Sequence, residues 1–353
     1  RQIYGFSLSS NSASIYTKST GTNRLNWVEY AKGIAIILVV YRHILIGIRR
    51  SGLDVSPILV NANEIVYSFR MPLFFVLSGI FAAKSILKRT PTGFTQNKLR
   101  TIMYPYLIWG IIQISIQILL TDYTNANRSI IDFLYLLVHP RAIDQLWYLY
   151  ALFNVSILFM LLFRVVKLNN LLLVIIALLC YGASTFVKQY SLIHDTMYYL
   201  IFFVVGHIGS KYLLNPKYYY FYNSYKPFIL LFPLFWLTQW YWLLNRDMNI
   251  FLFGIIALLG TAFVFSLSFI LAKKESIVLK PIQIAGKYSL QIYLMHLLVV
   301  SAIRIFMVRV LKMEEPIIIL SVGWILGCVL PVVAYKIMKP TFLNILFEPQ
   351  LKK

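Results

Sequence analysis

Ten apolar runs of about 18–24 residues succeed one another along this 353-residue chain, each long enough to cross a hydrocarbon layer of ~30 Å as a helix. In lipid every backbone polar group has to be satisfied inside its own segment, which leaves helices as the economical solution for such runs. The expected fold class is therefore all-α, a polytopic membrane protein of about ten transmembrane helices. The runs fall at residues 27–48, 64–83, 101–120, 146–163, 170–187, 196–213, 226–244, 248–272, 286–308 and 316–338. The connections are short, so residues 25–347 read as one transmembrane domain. Residues 1–24, rich in Ser, Thr and Asn without an apolar core, read as a flexible polar N-terminal segment.

The net charge of +21 raises the question of nucleic acid, and the distribution of charge answers it. With the N-terminus inside, inner segments carry about 20 Lys/Arg, among them Lys84, Lys88, Lys98 and Arg100, against about 8 on the opposite side. The outer segments hold most of the acids, including Asp54, Asp132, Asp144, Asp195 and Asp247. That asymmetry is the positive-inside signature. It predicts cytoplasmic N- and C-termini in a multi-pass membrane protein, with membrane lipid and not nucleic acid as the partner of the basic loops. Cys180 and Cys328 lie in apolar runs and the five histidines are scattered without ligand spacing, so no metal site is expected.

Five basic residues are not explained by any loop: Lys32, Arg42, Arg70, Lys287 and Arg304. Ionisable groups inside spans usually face polar cavities and mark a pathway or a reaction site. Lys32 and His43 are eleven residues apart, which puts them on one helix face about 16 Å apart along the axis. Glu29, three residues before Lys32, is a helix-surface neighbour and a plausible ion partner for it. Counting down the second run places Arg70 at the level of His43, with Asp144 and Trp147 near that level at the head of the fourth. Counting up from Lys287 places His296 near mid-membrane. The polar groups then form a column: Glu29 and Lys32 low, His296 central, and Arg42, His43 and Arg70 high. An acidic partner for His43 has to come from another segment, with Asp144 the candidate. Gly33 permits close helix approach beside Lys32, Pro72 frees a carbonyl near Arg70, and Ser78-Gly79 supplies a hydroxyl and a second close-approach point.

These stretches resemble the membrane acyltransferase-3 family, which includes bacterial O-acetyltransferases and fucose 4-O-acetylase-like proteins. Glu29-x-x-Lys32-Gly33 followed by His43 resembles the family's opening run, and Phe69-Arg70-Met71-Pro72-Leu73-Phe74-Phe75-Val76-Leu77-Ser78-Gly79 its second-helix motif. Lys98-Leu99-Arg100-x-x-x-Tyr104-Pro105-Tyr106-Leu107 is similar to its basic loop. Leu146-Trp147-Tyr148-Leu149 and Ile284-Ala285-Gly286-Lys287-Tyr288-Ser289-Leu290-x-Ile292-Tyr293-Leu294-x-His296 resemble two further signatures. The likeness runs from about Asn26 to Phe347. Three positions depart from the pattern: Arg42 is often Gly, Arg70 often His and Glu29 often Asp. Arg70 is not a base at any accessible pH, so a basic role for that position is excluded here.

The resemblance implies transfer of an acyl group, most often acetyl, from cytoplasmic acyl-CoA to a hydroxyl of a surface carbohydrate on the outer side. It implies acetyl-CoA as donor substrate and no metal. On this reading His43 is the general base, Arg70 or a backbone group near Pro72 stabilises the oxyanion, and Lys32 holds the donor's arm or keeps the polar channel open. Glu29, Arg42, Ser78, Lys98, Arg100, Trp147 and His296 are expected to bind donor or acceptor. The alternative is a secondary transporter or exporter of an anionic or glycolipid substrate. The chain shows no internal repeat of the kind that builds many transporters, and the Lys32–His43 pair also favours the enzyme.

Overall fold

The computed structural model describes residues 17–121, 123, 128–273 and 276–349, with side chains described from Asn26 onward. The protein is an all-α polytopic membrane protein, with ten helices long and apolar enough to cross a bilayer: Asn26–Arg50, Pro57–Leu87, Pro91–Leu119, Asp144–Val165, Asn170–Val187, Ser191–Leu213, Lys226–Leu244, Ile250–Leu271, Ser289–Val310 and Pro316–Met338. They correspond one to one with the ten apolar runs. Residues 1–16 of the segment read as flexible lie outside the described residues. The first helix begins at Thr17, so Trp27 is not at a helix start but is buried against Phe265 and Phe269.

Several helix starts are written locally. Proline occupies the first helical turn at Pro57, Pro91 and Pro316, where a missing N–H costs nothing. Thr90, Asn169 and Asn249 cap the N–H groups of Gly93, Leu172 and Phe251, satisfying donors that have no partner within the helix.

The first span is the axis of the bundle. It packs against the second, eighth, ninth and tenth spans and against a short helix, Lys280–Lys287. Two pairs of glycines make the closest crossings. A Cβ on Gly286 would lie 1.7 Å from the Glu29 carbonyl oxygen, and one on Gly33 would lie 2.0 Å from that of Ile282. A Cβ on Gly79 would meet the Phe203 oxygen at 2.0 Å, and one on Gly206 the Val76 oxygen at 2.0 Å. Only glycine permits backbones to touch in this way. The Gly33 and Gly79 positions are thus the close-approach points their motifs imply. The fifth and seventh spans are the least buried of the ten.

Two helix breaks decide which side chains meet inside the bundle. The second span is interrupted at Val66, whose φ of −94° and ψ of 2° leave the helical region. The ninth is separated from the short helix Lys280–Lys287 by Tyr288, with φ −105° and ψ 23°. Between the third and fourth spans the chain folds over one end of the bundle, with the short helix Asp132–Val138 anchored by the Tyr106 hydroxyl donating to the Leu136 carbonyl at 2.5 Å.

Candidate active site

At the end of the bundle remote from the start of the first span lies a cavity of about 590 Å³, lined by His43 and Arg42 from the first span, Arg70 and Pro72 from the second, and Trp147 from the fourth. The arrangement that sequence counting places at one level is therefore assembled around one space. The His43 imidazole faces it instead of hydrocarbon.

Arg70 is 3% exposed. Its Nη1 donates to Asn63 Oδ1 at 3.0 Å and to the Leu38 carbonyl at 3.3 Å. Asn63 lies seven residues before Arg70, on the other side of the break at Val66. Pro72, one turn in, has no N–H to offer the Ser68 carbonyl, and the Ser68 hydroxyl donates to Gln239 Oε1 at 2.6 Å. Arg70 and Arg42 both stand over the Tyr67 ring, at 5.9 and 5.3 Å, within the range where a ring face attracts a cation.

Behind His43 sits His296, with ring centroids 5.0 Å apart and no exposed surface. This corrects the expected mid-membrane placement of His296. The short helix enters the bundle and sets Gly286 against Glu29 and Gly33, roughly 5 Å further in than the start assumed by counting from Lys287. After the break at Tyr288, His296 consequently arrives at the height of His43. Its Nδ1 faces the carbonyls of Ile292 and Tyr293, both at 2.9 Å. Two acceptors there require Nδ1 to carry the hydrogen, so Nε2 is a bare acceptor. That Nε2 is buried and without a hydrogen-bond partner among the described residues.

Asp144 is not the acidic partner of His43. Its Oδ2 accepts from Arg128 Nη2 at 3.0 Å, Gln117 Nε2 at 3.2 Å and Gln113 Nε2 at 3.4 Å. The same network holds Gln145, whose Nε2 donates to Gln113 Oε1 at 2.9 Å and whose carbonyl accepts from the Tyr293 hydroxyl. It ties the third span, the connection after it, the fourth span and the ninth together at the cavity mouth. Arg141 lies over Trp147 at 4.2 Å and forks onto the buried Asp195, with Nε to Oδ2 at 2.8 Å and Nη2 to Oδ1 at 2.7 Å. Burial alone would lower the Arg141 pKa, but the hydrogen bonds to Asp195 and the charges around it raise it above the ordinary arginine value.

The remaining expected residues lie away from the cavity. Glu29 and Lys32 flank the crossing with the short helix and do not line it. Ser78 donates to the Phe74 carbonyl at 2.8 Å inside its own helix and does not line the cavity. Lys98 rests over Phe94 at 5.4 Å and Arg100 is exposed, both at the other end of the bundle. Asn63, Gln113, Gln117, Tyr293 and the Arg141–Asp195 pair were not legible as site residues: each is one polar side chain in an apolar or loop segment, and its partner is distant in sequence.

An unprotonated imidazole facing a cavity takes a proton from a hydroxyl, and a fixed guanidinium beside it stabilises negative charge on an oxygen. That is the equipment for transfer at a carbonyl. A family model described as an acyltransferase domain matches residues 25–336. A stretch of 93 residues is 32% identical to nodulation protein NolL of Mesorhizobium japonicum, covering 25% of this chain and 24% of that protein. Another, of 133 residues, is 27% identical to nodulation protein NolL of Sinorhizobium fredii, covering 36% of this chain and 34% of that protein. The chain thus matches only about a quarter to a third of the length of these relatives. No solved structure matches. The family model spans the first span through most of the tenth, and on that ground the chain belongs to the acyltransferase-3 family.

Proposed function

We propose that the protein is an integral-membrane O-acyltransferase that moves an acyl group, acetyl in the first instance, from acyl-CoA to a hydroxyl of a carbohydrate. The donor approaches from the cytoplasm of a bacterial cell and the acceptor from outside its inner membrane, with both termini cytoplasmic. One observation carries the reading: His43 faces a cavity beside Arg70, in a chain of a family described by acyl transfer.

The chemistry needs one base and one oxyanion donor. The acceptor hydroxyl gives its proton to His43 as its oxygen attacks the thioester carbonyl. A C–O bond forms and the carbonyl oxygen takes up negative charge opposite Arg70. As the C–S bond breaks, His43 returns the proton to the thiolate, leaving an ester and free coenzyme A. His296 acts as a positioning residue: its buried ring packs with its centroid 5.0 Å from that of His43 and backs the base against the cavity. Trp147 offers the sugar an aromatic wall. Lys98 and Arg100, with Lys84 and Lys88, suit the donor's phosphates, and Lys32 holds its arm on the way to His43, about 16 Å further along the same helix face.

The test is acyl transfer by the purified protein, read as thiol release from acetyl-CoA in the presence of a sugar. His43→Ala is expected to lower the rate about 10²–10⁴-fold, with membrane level and thermal stability near normal. More than about a tenth of the activity remaining removes His43 as the base, and no thioester turnover by the intact protein favours the exporter.

A further inference from the structure

Five arginines line the cavity, Arg42, Arg50, Arg70, Arg141 and Arg304, against one carboxylate, Asp144. Two of these charges are already committed: Asp144 to Arg128 at 3.0 Å, and Arg141 to Asp195 at 2.7 Å. Arg42, Arg50 and Arg70 have no carboxylate within 4.0 Å among the described residues. Arg70 bonds only neutral acceptors, and Arg42 stands over a tyrosine ring.

Charged groups at membrane depth are costly unless they face a polar space and a partner. One guanidinium serves a developing oxyanion. Arg42, inside the first span, and Arg50, exposed at the end of the same helix, both line the cavity and are surplus to that need. They concentrate positive potential in a low-dielectric cleft, which raises the local concentration of anions.

We infer that the acceptor is itself anionic: a sugar bearing a carboxylate or phosphate close to the hydroxyl that is acylated, its charge held by Arg42 and Arg50. The inference rests on the acyltransferase reading and narrows it to a substrate class. A guanidinium fork matches either anion bidentately, so the two are separated by experiment. The donor's phosphates are a different source of the same charge, and they are distinguishable because they would couple the arginines to acetyl-CoA instead of to the sugar.

The test uses the full-length protein in nanodiscs with three probes that share their ring hydroxyls: methyl glucoside, methyl glucuronoside and methyl glucoside 6-phosphate. At least one anionic probe is expected to be acylated with a kcat/KM about tenfold above the neutral one. The preference is expected to fall to near unity in Arg42→Gln/Arg50→Gln, with the KM for acetyl-CoA unchanged. Which anionic probe leads identifies carboxylate or phosphate as the recognised group. Equal use of all three, or a preference that survives in the double variant, overturns the inference and leaves the acyltransferase intact. So does a rise in the acetyl-CoA KM with acceptor preference unchanged, which assigns the arginines to the donor. Tighter calorimetric binding of the anionic probes without transfer to any of them sustains the anion site and overturns the acyltransferase reading. Binding of none of the three overturns the inference.

Discussion

Arg70 keeps its charge inside the membrane by fixing its guanidinium on two uncharged acceptors, Asn63 and the Leu38 carbonyl, and by facing the cavity. Arg70→Lys preserves charge but not the planar fork. If this group stabilises the oxyanion, the variant lowers kcat about 10²–10³-fold, the usual loss for one such donor, with a much smaller change in acceptor KM. Unchanged kcat in a steady-state assay assigns Arg70 to packing alone. The residue types and their depth were readable from the sequence, because a rise of ~1.5 Å per residue converts position into height. Their partners were not. Asn63 and Arg70 meet across the interruption at Val66, and nothing in the apolar pattern marks that turn.

At the level of helices, the reaction site depends on where the backbones touch. Gly286 holds the short helix Lys280–Lys287 against Glu29 and Gly33, and this contact sets the height at which His296 meets His43. Gly286→Ala places a Cβ 1.7 Å from the Glu29 oxygen, so the helix has to move. Overpacking of this kind costs about 1–3 kcal/mol, and the expected result is a lower unfolding temperature together with reduced acyl transfer. Gly209→Ala is the control, since its nearest neighbour would be Leu213 Cδ1 at 3.7 Å; stability within about 0.5 kcal/mol is expected there. Equal effects of the two substitutions in a thermal melt would show that the crossing is not what positions the site. The motif containing Gly286 was visible in sequence. The break at Tyr288 was not, and it is the reason His296 stands beside His43 instead of below it.

Across the whole molecule, the connection between the third and fourth spans is sealed onto the cavity mouth by a polar network centred on Arg128, which bonds Asp132, Asp144, Gln117 and the Ala142 carbonyl. Burial by itself would raise the Asp132 pKa. The Ser129 N–H at 2.7 Å and Arg128 at 3.2 Å outweigh that and hold it below its ordinary value of 3.8. A carboxylate with a depressed folded-state pKa stabilises fully above its unfolded value and loses that contribution as pH falls through the folded one. Asp132→Asn is therefore expected to lower the unfolding temperature at neutral pH, with the gap from wild type closing as pH drops below about 4. A gap independent of pH in thermal scans would assign the effect to geometry and not to charge.

What the sequence determined by itself was the all-α architecture and the ten spans, because lipid forces every segment to solve its hydrogen bonding and hydrophobicity locally. What only the tertiary structure decided was adjacency: His296 behind His43, Asp144 claimed by Arg128, Arg141 locked on Asp195 from 54 residues away. Those pairings follow from how closely helix surfaces fit, and that fit is set by glycine contacts and helix breaks whose effect depends on a neighbour the local sequence does not specify.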